Sequence, residues 1–134
     1  MEQNKVTLID TSSWIEALRT EGRVDIRERL KLLLVDSLAA WCDMVAVELW
    51  NGVRGDYEKK QLAELEKEII CLPTTDEVWY GARNLAQKCR NTGYTVPSAD
   101  LVIASCALFH GVALEHCDAH FDLILKIHKK VSSK

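Results

Sequence analysis

A chain of 134 residues has the length of one domain with a real core, and a single domain over residues 1–134 is the expectation. A hydrophobic fraction of 48% with 28% charged residues is that of an ordinary soluble globular chain, and no apolar run approaches the roughly 18 residues of a membrane span. A net charge of −3 argues against a protein that coats nucleic acid by bulk positive charge, so any attraction to nucleic acid must be local and helped by a bound cation.

The N-terminus, MEQNKVTLID, lacks the basic start, apolar stretch and small-residue cleavage site of a secretory signal, and a cytoplasmic protein is expected. The five cysteines, Cys42, Cys71, Cys89, Cys106 and Cys117, form no C-x-x-C pair. Several lie in apolar runs as small buried hydrophobes, and a disulfide framework is not expected. Arg19, Arg23, Arg54, Lys59, Lys60, Arg83 and Arg90 read as solvated helix faces that could assist a polyanion.

In chain order, Lys5–Ile9 reads as a buried strand, followed at once by a helix with Thr11 or Ser12 as cap and Trp14, Ile15 and Leu18 at helical spacing. A second helix, from about Val24 to Asp36, places Ile26, Leu30, Leu33 and Leu34 on one side. Ala39–Cys42 is a short strand, and Asp43 caps the helix of MVAVELW. Asp56 is the cap candidate of a helix carrying Leu62, Leu65 and Ile69 inward. Ile69–Pro73 is a third strand, and Thr74 with Glu77 has capping-box spacing for the next helix. That helix turns Val78, Ala82, Leu85, Ala86 and Cys89 inward and stops near Gly93. PSADLVIASCALFHG is a helix capped by Ser98 and ended by Gly111, and VALEH is a fourth strand. At most a faint last strand is expected over Ile124–Val131, which leaves the final sheet edge short or missing.

Strands alternating with helices predict an α/β protein with a parallel sheet and helices on both faces. In such sheets ligand sites gather beyond the carboxyl ends of the strands. Asp10 ends the first strand there, although a helix cap is its ordinary role. Glu48 falls between Met44 and Val45 on its helix with only Asn51 as a polar neighbour, company that suits either an exposed glutamate on a mixed surface or one facing a polar cavity inside the fold. Asp100 heads a helix that is apolar almost all round, where complementing the helix N-terminus is the simplest role. Asp118 follows the fourth strand, where turn chemistry alone would account for it.

These four acids can meet at one sheet edge. Clustered carboxylates repel unless a cation sits among them, and Mg²⁺ or Mn²⁺ is the natural partner for oxygen ligands. Metal-assisted phosphodiester hydrolysis is the implied chemistry.

The ordered motifs LIDTSSW, VAVELWNGVR, GYTVPSADLVIASCALFHG and GVALEHCDAHFDLI, spread over almost the whole chain, resemble those of the PIN-domain ribonucleases, and within them the VapC-type toxins. The resemblance implies an α/β/α sandwich with a short central parallel sheet. It also implies an endoribonuclease in which Asp10, Glu48, Asp100 and Asp118 bind Mg²⁺ or Mn²⁺, with Ser12 supporting them. Single-stranded or loop RNA, often transfer or ribosomal RNA, is the implied substrate; a VapB-type antitoxin and a second copy of the chain are the implied partners. Many relatives carry an aspartate two residues after the fourth acid, where this chain has His120; His120 and Asp122 are candidates for a supporting role.

Three rivals are open. A phosphorelay receiver domain lacks its acid pair here, since Asp10 stands alone. A zinc site could draw on His110, His116, Cys117, His120 and His128, but their spacing matches no ligand set. A non-catalytic PIN-like module binding RNA or protein is the alternative function, and it has no need of mutually repelling acids. Trp14 and Trp50 are either core or partner contacts.

Overall fold

The structure, a computed structural model, describes residues 5–19 and 21–132. Four strands alternate with seven helices among these residues: β1 (Thr7–Ile9), α1 (Thr11–Leu18), α2 (Val24–Val35), β2 (Ala39–Cys42), α3 (Asp43–Gly52), α4 (Gly55–Glu66), β3 (Ile70–Leu72), α5 (Asp76–Asn91), α6 (Ser98–His110), β4 (Ala113–Glu115) and α7 (Ala119–Ser132). The sheet is parallel throughout, in the order β3-β2-β1-β4, with Leu8 facing Ala40 on one side and Leu114 on the other. The two inner strands are apolar because both of their faces are covered; Leu8, Ile9, Ala39, Ala40 and Cys42 are fully buried.

The expected elements recur with shifted ends. The strand expected over Lys5–Ile9 is β1 at Thr7–Ile9, and that expected over Ile69–Pro73 is β3 at Ile70–Leu72. Caps move by about one residue, because the capping group comes from the last residue with extended backbone. Asp10, not Thr11 or Ser12, caps α1 with its own carboxylate, and Thr75, not Thr74, caps α5 through its hydroxyl. Cys42, Arg54 and Pro97 precede α3, α4 and α6, so Asp43, Asp56 and Ser98 lie inside first turns. Gly111 ends α6 in the left-handed conformation, with φ 65°, that glycine adopts without strain.

One expectation is overturned. Residues 124–131 are not a faint strand; they belong to α7. Phe121, Ile124 and Ile127 recur at three-residue steps and are buried together, which is the period of a helix face. The sheet therefore ends at β4, and α7 packs against α5 and α6.

Helix α6 is the centre of the core, with every residue from Asp100 to Ala107 buried. It lies close against α5: a Cβ at Gly81 would come within 2.4 Å of Ser105 Oγ, whose hydroxyl donates to the Val78 carbonyl at 2.6 Å. Holding α6 against the sheet fixes its N-terminal turn, and therefore Asp100, beside the carboxyl ends of β1 and β4.

Candidate metal centre

Asp10 leaves β1 nearly fully buried, and its Oδ2 accepts from the Ser12 backbone N–H at 3.0 Å and from the Ser12 hydroxyl at 2.6 Å. The cap and the candidate site are thus one group. Ser12 Oγ in turn accepts from the Cys117 N–H at 3.0 Å, and the Asp10 N–H donates to the Glu115 carbonyl at 2.9 Å. These bonds tie the end of β1 to the loop leaving β4, the loop that carries Asp118.

Glu48, half-buried on α3, accepts at Oε1 from the Thr11 hydroxyl at 2.5 Å. The residue after Asp10 thereby holds Glu48 by one oxygen. From sequence Thr11 is only a cap candidate and not a partner of Glu48; the run of hydroxylated residues straight after Asp10 is the available signal.

Asp100 is 8% exposed, and its Oδ2 receives no hydrogen bond. Asp118 is half-buried; its Oδ1 accepts from the His120 backbone N–H at 2.8 Å and lies 2.9 Å from His120 Nδ1. The same Nδ1 is 3.3 Å from Asp100 Oδ2. Burial pushes the Asp100 carboxyl up from 3.8 to about 7, and the charges of Asp118 and then Asp10 push the same way while His120 opposes them. One ligand atom each from Asp100, Asp118 and His120 falls within a 4.8 Å span, the one such group among the described residues.

The structure therefore brings Asp100, Asp118 and His120 together and sets Asp10 close enough for its charge to act on Asp100. Glu48 lies outside the tight group and joins through Thr11. Asp122 does not join it; it is exposed, with Oδ1 3.4 Å from His116 Nε2. His120, not Asp122, fills the space beside the two acids.

A hard divalent ion fits these residues. The donor set is mostly carboxylate, an orphaned buried oxygen points into it, and the charges of Asp118 and Asp10 raise the proton affinity of Asp100. Among the described residues the other histidines join no metal-sized cluster: His110 Nε2 meets the Pro73 carbonyl at 2.8 Å, and His116 pairs with Asp122.

The remaining candidates separate by burial. Trp14 is core, whereas Trp50 is 38% exposed and donates from Nε1 to Glu66 at 2.8 Å. Arg19, Arg23, Arg54, Lys59, Lys60, Arg83 and Arg90 are all exposed; Arg19 pairs with Glu16, Arg23 with Asp25, and the Arg83 guanidinium stacks over Tyr80. No described helix is long and apolar enough to cross a membrane.

Comparison with known proteins gives the same architecture and a family. The model of the PIN domain matches residues 7–126. The VapC ribonuclease Mb1587 of Mycobacterium bovis is 33% identical over 123 residues, covering 90% of this chain and 92% of its own. Ribonuclease VapC18 of Mycobacterium tuberculosis is 29% identical, covering 91% and 89%. Among solved structures, FitAcB from Neisseria gonorrhoeae superposes with a TM-score of 0.71 at 21% identity, over 88% of this chain and 91% of that one. VapBC2 from Rickettsia felis, bound to a DNA fragment from their promoter, gives 0.65 at 16% identity over 84% and 98%. The chain belongs to the PIN-domain family and, within it, to the VapC ribonucleases.

Proposed function

We propose that this VapC-type ribonuclease is an endoribonuclease that cuts RNA in the cytoplasm using Mg²⁺ or Mn²⁺ held by Asp10, Glu48, Asp100 and Asp118, and that a VapB-type antitoxin silences it. The observation that carries the metal reading is the buried Asp100 oxygen, without a hydrogen-bond donor and crowded by two further acids. A divalent ion bound there would supply Lewis acidity and a more acidic water for attack on phosphorus.

The chain's own residues do the positioning. Ser12 gives Asp10 two hydrogen bonds and fixes its rotamer. Thr11 anchors Glu48 by one oxygen. The His120 backbone N–H orients Asp118. Such supporting bonds are what hold a ligand set in register. With the acids ionised, the pocket repels a phosphate, so substrate approach depends on offsetting that charge. Exposed arginines and lysines around the fold are the available contacts for the RNA backbone, and single-stranded or loop regions, as in transfer or ribosomal RNA, are the substrate this reading expects.

Antitoxin-free protein is expected to cleave a total-RNA pool with Mg²⁺ or Mn²⁺ and to stop when the metal is chelated, read by gel and by sequencing of new 5′ ends. Full cleavage in chelator would defeat the metal reading, and no cleavage of any pool would favour a module that binds without cutting.

The antitoxin reading is supported by the solved relatives, whose VapBC2 structure is a pair bound to promoter DNA. A homodimer is also proposed, with the exposed apolar side chains Ile15, Leu18 and Val47 of α1 and α3 as suitable contact material. Light scattering of the isolated protein should return twice the chain mass of 15.2 kDa, and a monomer at micromolar concentration would remove that part.

A further inference from the structure

Resting on the metal-centre reading above, we propose that His120 is itself a ligand of the centre through Nδ1, and that its imidazole gives this protein a preference for Mn²⁺ over Mg²⁺. Three observations converge on it. His120 Nδ1 lies 2.9 Å from Asp118 Oδ1 and 3.3 Å from Asp100 Oδ2. Neighbouring corners of an octahedron with bonds of about 2.1 Å are separated by about 3.0 Å, so these spacings leave the three atoms placed to share one ion.

The second observation is Asp100. The residue is nine-tenths buried, and its Oδ2 accepts no hydrogen bond even though Nδ1 is nearby. An unbonded carboxylate oxygen so placed is free to accept a cation shared with Nδ1. The third is the anchoring of the backbone that carries the ring. His120 begins α7, its own backbone N–H is bonded to Asp118 Oδ1, and the adjacent Phe121 is fully buried. The imidazole is therefore delivered to the acids by an anchored helix start rather than by a free loop.

The chemical consequence follows from ligand type. Carboxylate and water suit both Mg²⁺ and Mn²⁺, while an imidazole nitrogen is a poor ligand for the hard Mg²⁺ and a better one for first-row transition ions, of which Mn²⁺ is the weakest binder. An aspartate at this position would make the set all-oxygen and improve the standing of Mg²⁺. The ring would bind as the neutral tautomer, with its proton on Nε2.

The test uses the full-length, antitoxin-free protein and the metals alone. Mn²⁺ and Mg²⁺ affinities are measured by calorimetric titration, and the Mn²⁺-loaded protein is examined by pulsed EPR for nitrogen hyperfine coupling of the imidazole type. Wild type should show the coupling. His120→Asp and His120→Ala should both lose it, and His120→Asp should lower the Mn²⁺-to-Mg²⁺ affinity ratio at least about tenfold. His116→Gln should keep the coupling. Bound Mn²⁺ without nitrogen coupling in wild type, or an unchanged ratio in His120→Asp, overturns the proposal and leaves the carboxylate centre standing. No binding of either ion by wild type overturns the centre itself. The wild-type spectrum decides the point even where a variant folds poorly.

Discussion

Asp100→Asn is expected to abolish RNA cleavage and, in the absence of metal, to make the protein more stable at neutral pH. The loss of activity should exceed the roughly 10- to 100-fold typical of groups that only support a metal ligand. The gain in stability comes from the electrostatics of these acids when no metal is added. Burial and the charges of Asp118 and Asp10 raise the Asp100 carboxyl from 3.8 to about 7, so the folded protein holds a proton there that the unfolded chain has released. A group whose folded pKa is raised stabilises fully below its unfolded value and loses that contribution as pH rises through the folded value.

The metal-free wild type should therefore lose stability between about pH 4 and pH 7 and level off above, as far as this group is concerned. The asparagine variant lacks the slope, so its melting temperature should match wild type near pH 4 and exceed it by several degrees at pH 8. In the same window, metal affinity of the wild type should rise with pH, because the proton on Asp100 must leave before an ion binds. Thermal melts at several pH values, with chelator and with Mn²⁺, check both signs. A variant that keeps full activity would remove Asp100 from the site, and one that is less stable at pH 8 would contradict the repulsion among these acids.

Phe121→Ala is expected to cost about 3–5 kcal/mol of folding stability, a large share of what a domain of this size possesses. Phe121 is fully buried, its N–H donates to the Asp118 carbonyl at 3.1 Å, and its ring lies 5.2 Å from that of His116. The side chain pins the first turn of α7, the turn that positions His120 beside Asp118. The cavity left by truncation should therefore weaken metal binding as well as the core. Asp122→Ala, one residue on and exposed, should change stability by less than about 0.5 kcal/mol. Urea denaturation of both variants measures the contrast, and equal costs would contradict the packing of α7.

Much of this protein could be read along the chain. The apolar runs at Leu8–Ile9 and Ala39–Cys42 exposed the inner strands because a parallel strand covered on both faces has no polar positions to alternate. The almost all-round apolar character of Leu101–Ala107 marked α6 as central, and Asp10, Glu48, Asp100 and Asp118 stood out as acids at odds with their neighbourhoods or at strand ends. Element order and the candidate acids are local or topological facts, and local sequence carries them.

The rest depended on contacts between distant segments. Helix propensity could not separate strand from helix in residues 124–131, because short apolar runs fit both; burial of Phe121, Ile124 and Ile127 against α5 and α6 decided it. Whether Asp10 capped a helix or faced a site was no real alternative: Ser12 bonds its Oδ2 as a cap while its charge acts on Asp100 across the fold. The choice between His120 and Asp122 lay in where the first turn of α7 points each side chain, one toward Asp118 and Asp100 and the other toward His116. Sequence determined which residues carry charge and which cannot leave the core. Only the tertiary structure decided which charges meet, because the separation of two acids is set by packing and not by their place in the chain.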